Sequence, residues 1–363
     1  MTRILDKQTT PVSRTCTLVI PGLLDIPGEE QVSAFAQVGR LPALEQLLSR
    51  ADRQTFSGVS LESVIFDLFE VKRAPELDTP IAPVTYIADS GKPLPASTAW
   101  CLRADPVHLV PDRDHLVLMG PEALSLTQPE ADRLAADFNG LYSADGWRLE
   151  ACTPSRWYLH LPENPNLRTY DLAQVRGRAI SHFLPIGVNG KQWHGVMNEV
   201  QMLLHTSVVN TNREMAGQLP VSSLWFWGGG KTLDPGHSRW STLWSQEALS
   251  IGLAALSSTP RLDLPDTADS WLQTSISPGA HLLVLDGLQQ AWQNQGTEAW
   301  AQTLQQIEVN WITPLLTALR KRELESLTLC TCQGQQFVLT RAGLRRWWRR
   351  TLKLTSYYSF ADK

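Results

Sequence analysis

The stretch LLHTSVVNTNREMAGQLPVSSLWFWGGGKTLDP, residues 203–235, carries more information about the fold than any other part of the chain. It opens at the end of a helical pattern, MNEVQMLLHTSVVN (197–210). It then leads through Asn210, Arg213 and Gly217 to SSLWFW (222–227), whose apolar, aromatic run reads as a buried strand. Gly228, Gly229 and Gly230 follow, and then Lys231. Backbone N–H groups of a glycine run can cradle an anion, and guanidinium forks such as those of Arg103 and Arg213 suit phosphate or carboxylate. A tight turn that needs no side chains accounts equally for the glycines. An ion-pair network between domains accounts equally for Arg103, Asn210 and Arg213, so both readings stay open. The Gly-x4-Gly spacing of a nucleotide-binding loop is absent before Lys231, which argues against a nucleoside triphosphate site.

Upstream, TCTLVIPGLL (15–24) reads as a buried strand entering a tight turn, RLPALEQLLSR (40–50) as a helix and ESVIFDLFE (62–70) as a further short element. The proline-bearing stretch 74–95 reads as an extended connection. In the middle, DHLVLMG and RWYLHL have strand character, and TQPEADRLAADFNGLY is an amphipathic helix with Thr127 as its cap. Downstream come a helix at SQEALSIGLAAL, a buried strand at AHLLVLDG and strands at SLTLCTC and QQFVLT. Residues 297–320 predict one long helix, with Trp300, Leu304, Ile307, Trp311, Leu315 and Leu319 in a stripe and Thr297 as cap. This order predicts an α/β core split in sequence (15–95 and 205–340), an inserted smaller α+β domain (96–204) and a basic tail (341–363).

A length of 363 residues, 43% hydrophobic and 19% charged, fits a globular protein of about two domains. The net charge of -4 gives no global pull toward nucleic acid or acidic membranes. MTRILDKQTTPVSR lacks an apolar signal core and no apolar run is long enough to span a bilayer, so the expected location is the cytoplasm, with reduced thiols at Cys16, Cys101, Cys152, Cys330 and Cys332. The Cys330–Cys332 pair and the eight histidines form no metal-chelating pattern. Most of the fourteen tryptophans are expected in cores. The run RAGLRRWWRRTLK (341–353), placed on a helix, gives a basic, aromatic-flanked face suited to nucleic acid or a membrane surface. It suits equally a helix packed by its tryptophans with its arginines in solvent.

The 203–230 stretch resembles the archaeal type of cofactor-independent phosphoglycerate mutase, of the alkaline phosphatase superfamily. That family carries the form h-x-V-N-x-x-R-x-x-x-G-x-x-P-A-x-x-I-W-L-W-G-x-G, met here by Val209, Asn210, Arg213, Gly217, Pro220, Leu224, Trp225, Trp227, Gly228 and Gly230. AWCLRADPVHL, with Arg103, looks like the family's entry into its inserted domain. LPALEQLLSR and IEVNWITPLL are similar to two further family patches. The resemblance implies an α/β fold with an alkaline-phosphatase-like core sheet flanked by helices and an inserted α+β domain. It also implies two divalent cations held by Asp and His, and a serine that is transiently phosphorylated; paired cations stabilise the charge of the transferred group.

The family's ligand positions are eroded. Pro21 stands where the first Asp is expected, with Asp25 four residues on; Ser60 or Ser63 stands in the nucleophile region. LQQAWQNQG follows the strand ending at Asp286 in place of a His-rich cluster, and QGQQF follows the last core strand. Gln and Trp are poor ligands for hard divalent cations. The leading expectation is therefore a catalytically degenerate, binding or regulatory protein, which also resembles bacterial proteins labelled as pathogenicity-factor regulators. Its ligand-binding candidates are Arg103, Asn210, Arg213, Trp227, Gly228, Gly229, Gly230 and Lys231, and no cofactor is expected. The alternative is a divergent phosphomutase or phosphatase using Mn, Mg or Zn with Ser60, Asp25 and Asp286; a third reading is nucleic-acid association through the basic tail. The expected partner is a small phosphorylated ligand or a protein.

Overall fold

The computed structural model describes residues 14–24, 34–35, 37–72, 78–275 and 277–360. In chain order its strands are β1 (Arg14–Val19), β2 (Asp52–Thr55), β3 (Trp100–Asp112), β4 (His115–Met119), β5 (Arg148–Ala151), β6 (Trp157–Leu161) and β7 (Leu167–Arg168). They continue with β8 (Ile186–Gly187), β9 (Ser223–Gly230), β10 (Thr242–Trp244), β11 (Arg261–Leu262), β12 (Gly279–Val284), β13 (Ser326–Thr331) and β14 (Gln335–Thr340). The chain forms two compact units, Met1–Val71 with Pro235–Lys363, and Lys72–Asp234.

The first unit is built on a seven-stranded sheet in the order β11-β10-β12-β1-β13-β14-β2. β11, β10, β12, β1 and β13 run parallel, β14 runs against them, and β2, antiparallel to β14, returns to their direction. The central strands read as apolar runs because both sheet faces are covered by helices. Leu18, Leu283 and Leu329 of the sheet join Leu44, Leu48, Trp271, Trp300 and Leu315 of the helices in one buried core. At the end of β1 the chain turns through Pro21 and Gly22, and Gly22 takes φ 80°. A Cβ there would lie 2.9 Å from the Cα of Gln289, so this turn packs backbone on backbone against the helix Gly287–Gln295. Trp300 Nε1 donates to Gly22 O at 2.8 Å and closes the turn from the other side.

The segment 297–320, expected as one helix, is three pieces: Thr297–Ile307, a π turn over Glu308–Ile312, and Thr313–Lys321. Pro314 has no N–H to give to the preceding turn, and Thr313 N–H reaches back five residues to Glu308 O. The cap position is Gly296, with Thr297 already inside the helix. The pattern at 197–210 likewise divides, because Ser207 Oγ accepts from Val209 N–H at 3.2 Å and starts a second helix, Val208–Met215. The 74–95 stretch is not extended throughout. Ile81–Ser90 is helical, with Pro83 in the first turn, where a backbone N–H has no helical partner to lose. The basic run is helical only over Arg341–Leu344.

The second unit has a five-stranded antiparallel sheet, β4-β3-β6-β5 with β9 also on β3. β3 is the organiser: Trp100–Arg103 pair with β6, Cys101–Val107 with β9 and His108–Asp112 with β4. The unit spans 72–234, wider than the expected 96–204. β9 is bound into its sheet, and Ala82 and Tyr86 of the helix Ile81–Ser90 share a small core with Cys101 and Tyr158. Thr127 caps the helix Gln128–Tyr142 as expected, with Glu130 accepting from both Thr127 N and Thr127 Oγ1 at 2.8 Å.

Gly22→Ala tests the backbone contact at the end of β1. The methyl meets the Gln289 backbone and the residue is held in the left-handed region, so the variant should lose roughly 2–4 kcal/mol in urea unfolding. A loss below about 0.5 kcal/mol would show that the turn relaxes freely.

Candidate functional site

In open α/β sheets ligands bind outside the carboxyl ends of the parallel strands. In the first unit those ends carry Pro21 after β1, Cys332 and Gln333 after β13, Asp286 after β12 and Glu247 just past β10. Gln333 Nε2 donates to Leu24 O, fastening the turn after β13 to the turn after β1. Asp286 accepts from Gln290 Nε2 at 2.6 Å, and burial pushes its carboxyl up from the usual range. It makes no side-chain cap to the helix that follows it. Glu247 accepts from Leu249 N–H and Ser250 N–H, both at 2.7 Å, and so caps the helix Ala248–Leu256. Burial pushes its carboxyl up to about 7; the two amide hydrogen bonds oppose that shift, and the charge of Asp286 adds to it. Glu247 escaped the sequence reading, although a Glu directly ahead of the apolar run ALSIGLAAL is a helix-start signal.

Ser60 is the cap of the helix Leu61–Leu68. Ser63 N–H donates to Ser60 Oγ at 3.2 Å, and Ser63 Oγ accepts from Ser60 N–H at 2.9 Å. Among the described residues its hydroxyl has no His or carboxylate partner. Asp25 lies outside the described residues. Cys330 is buried, and burial pushes its thiol up to about 12. No group of three or more His, Cys, Asp or Glu side chains that could hold a metal ion occurs among the described residues.

The remaining predicted residues belong to the second unit. Arg103 and Asp105 are two apart on β3 and therefore share a face. Arg103 Nη2 donates to both Asp105 oxygens at 2.8 and 2.9 Å, and its Nε donates to one of them at 3.1 Å. The register places Tyr158 beside Arg103 on one side and Trp227 on the other, and their rings flank the guanidinium at 5.3 and 5.2 Å. Trp227 Nε1 and Trp157 N–H complete the Asp105 carboxylate at 2.8 and 3.2 Å. Asn210 donates to Leu204 O and Val221 O and accepts from Val221 N–H at 2.7, 2.8 and 2.9 Å. Arg213, 1% exposed, donates to Leu219 O, to Glu130 and to Leu124 O. Arg103 with Trp227, and Asn210 with Arg213, thus form two inward-facing clusters.

Gly228, Gly229 and Gly230 are strand residues. A Cβ on Gly229 would come within 2.6 Å of Trp100 Nε1, and one on Gly230 within 2.3 Å of Pro80 Cβ. They are small because side chains press on them from the same unit. Lys231 is exposed just beyond. A cavity of about 430 Å³ in this unit is lined by Tyr142, Trp147 and Trp193 with Asp145, Glu163 and Glu199. Its charge suits no anion.

Of the two readings of the basic run, packing through its tryptophans does not hold. Arg346 holds Asp52 through two contacts at 2.5 and 2.8 Å, and Arg349 Nη1 donates to Ala51 O at 2.7 Å. The arginines make the attachment, while Trp347 and Trp348 are 81% and 64% exposed.

No family model matches the chain. Over 133 residues it is 26% identical to a probable 2,3-bisphosphoglycerate-independent phosphoglycerate mutase of Geobacter sulfurreducens, covering 36% of this chain and about a third (33%) of that protein. In fold it is similar to the PH0037 protein from Pyrococcus horikoshii, with a TM-score of 0.57, 12% identity and coverage of 91% and 88% of the two chains. A cofactor-independent phosphoglycerate mutase from Thermoplasma acidophilum aligns with a TM-score of 0.49 and 14% identity over 96% and 97% of the two chains. The chain is a mixed α/β protein with a central sheet flanked by helices, its fold similar to that of the PH0037 protein and part of its sequence similar to a probable phosphoglycerate mutase.

Two outcomes follow for the clusters above. Asp105→Asn strands a buried guanidinium without its counter-charge and should cost about 3–5 kcal/mol in chemical denaturation; a cost under about 1 kcal/mol would mean that water reaches Arg103. Glu247 is raised from 4.5 to about 7, so its stabilising contribution is complete below the lower value and is lost as pH rises through the upper one. Between about pH 5 and pH 8.5 the wild type should lose about 1–2 kcal/mol more than Glu247→Gln, part of the full shift being screened by solvent. Parallel pH profiles of the two proteins would contradict that.

Proposed function

We propose that this chain is a catalytically degenerate phosphoglycerate-mutase-like protein that acts by binding or regulation, without two-metal phosphoryl transfer. The observation that carries this reading is the turn Pro21–Gly22 at the end of the central strand. Its backbone lies against Gln289, and a Cβ on Gly22 has no room. The neighbouring strand ends supply amides at Gln289, Gln290 and Gln333, and the two carboxylates, Glu247 and Asp286, already accept hydrogen bonds from within the unit. Hard divalent cations favour several carboxylates or imidazoles together, so this donor set does not fit a two-metal centre. No cofactor is part of this reading. The partner is a protein or a small ligand, and the internal pairing of Arg103 and Arg213 favours the protein.

A second reading has one observation in its favour. Glu247 and Asp286 stand past adjacent parallel strands and the charge of Asp286 reaches Glu247, which is a start toward a divergent phosphatase or phosphomutase using Mn, Mg or Zn. One experiment separates the two. Purified protein should carry far less than stoichiometric metal by elemental analysis, and should interconvert 2- and 3-phosphoglycerate no faster than buffer when Mn is added. Stoichiometric metal together with turnover that disappears in Ser60→Ala would overturn the degenerate reading.

A further inference from the structure

Residues 341–353 do not bury their tryptophans. Arg346 and Arg349 turn inward and grip the edge of the first unit at Asp52, Arg50 O and Ala51 O. Leu344 on one side and Leu354 on the other are buried, so the turn between them is anchored at both ends. The two residues between the gripping arginines therefore point away from the protein. Their rings meet edge to face, with centroids 6.2 Å apart and planes at 83°. Leu352, 46% exposed, extends the apolar surface. Around it stand Arg345, Arg350 and Lys353, all exposed, and among the described residues none of them forms an ion pair. Arg341 adds to the same charge: the Arg322 guanidinium, then slight burial, then Arg345 hold its own guanidinium below the usual range.

Two indoles this exposed are costly in water unless something covers them. We infer that the turn carrying Trp347 and Trp348 is a docking surface for an anionic lipid bilayer. The indoles and Leu352 would enter the boundary between headgroups and acyl chains, and Arg345, Arg350 and Lys353 would meet the lipid phosphates. Indole suits that boundary because it has an apolar body and one N–H to satisfy, and basic side chains beside it favour acidic lipids. No helix among the described residues is long and apolar enough to cross a membrane, so the contact is peripheral. The geometry favours a bilayer over single-stranded nucleic acid. Successive bases stack on open aromatic faces along a groove, whereas here the edge of one ring abuts the face of the other on an outward turn. The chain's net charge of -4 supplies no general attraction to an acidic membrane, so contact depends on a local basic patch such as this one.

Flotation of the full chain with vesicles tests this. It should rise with vesicles of equal phosphatidylglycerol and phosphatidylcholine and stay behind with phosphatidylcholine alone. High salt should weaken the association. The double variant Trp347→Ala/Trp348→Ala should bind at least about tenfold more weakly, with an unchanged melting temperature because the removed rings are exposed. Arg345→Glu/Arg350→Glu should lose the preference for acidic vesicles. The inference is overturned if the wild type fails to float, if it floats equally with neutral vesicles, or if the double tryptophan variant floats as well as the wild type. It is also overturned if those rings are needed only for retention on a single-stranded oligonucleotide.

Discussion

The close approach of Gly22 to Gln289 fixes the end of the central strand, and much of the first unit is arranged around it. β1 lies between β12 and β13, and the chain leaving it has to turn at once. A positive φ and the absence of a Cβ let the turn rest on the helix Gly287–Gln295, and Trp300 then donates to its carbonyl. Two successive helices are thereby tied to one peptide. The carboxyl edge of a parallel sheet is ordinarily the place where side chains gather around a ligand; at this position it is filled by main chain.

Charged side chains in this protein are often spent on backbone. Glu308 accepts from Ala43 N–H and Leu44 N–H at 2.6 and 2.9 Å and so caps the helix Pro42–Arg50, whose own cap residue, Leu41, has no side-chain acceptor. Glu247 does the same for another helix. Asn210 ties the end of one helix to the residue just ahead of β9, and Arg213 ties its neighbour to Leu219 and Leu124. The pattern V-N-x-x-R with W-x-W, which carries the resemblance to phosphoglycerate mutases, is in this chain a set of instructions for docking β9 onto β3. Residues of this kind report on the fold and not on the chemistry.

The fold was legible where periodicity and capping agreed. Thr127, Leu134 and Phe138 announce their helix, and the apolar runs at 15–20 and 281–285 announce parallel strands. Local pattern failed where one residue's missing N–H or a distant partner decided the outcome. Pro314 changes the hydrogen-bond ladder without disturbing the apolar stripe around it. The stretch at 341–353 has the composition of a basic amphipathic helix, yet Asp52, almost three hundred positions away, takes Arg346 and turns the chain the other way. The glycines after Trp227 suggested an anion loop because sequence shows small residues without showing what presses on them. Trp100 and Pro80, both distant in sequence, do so.

The π turn at Glu308–Ile312 has a geometric consequence. One extra residue in a helical path turns everything beyond it back by about 100°; an uninterrupted helix would carry Leu319 about that far off the line of Trp300, so the π turn returns Leu315 and Leu319 to the buried face that Trp300 and Leu304 occupy. The first half packs beside the helix Gly287–Gln295, and the second half faces Ala268–Thr274, Pro42–Arg50 and β13. A single segment thus works as a phase corrector, keeping one apolar face on the shared core through its whole length without a loop. Glu308, the first residue of that turn, is also the one that accepts from the start of Pro42–Arg50, so the phase change and the capping of a remote helix meet at one residue.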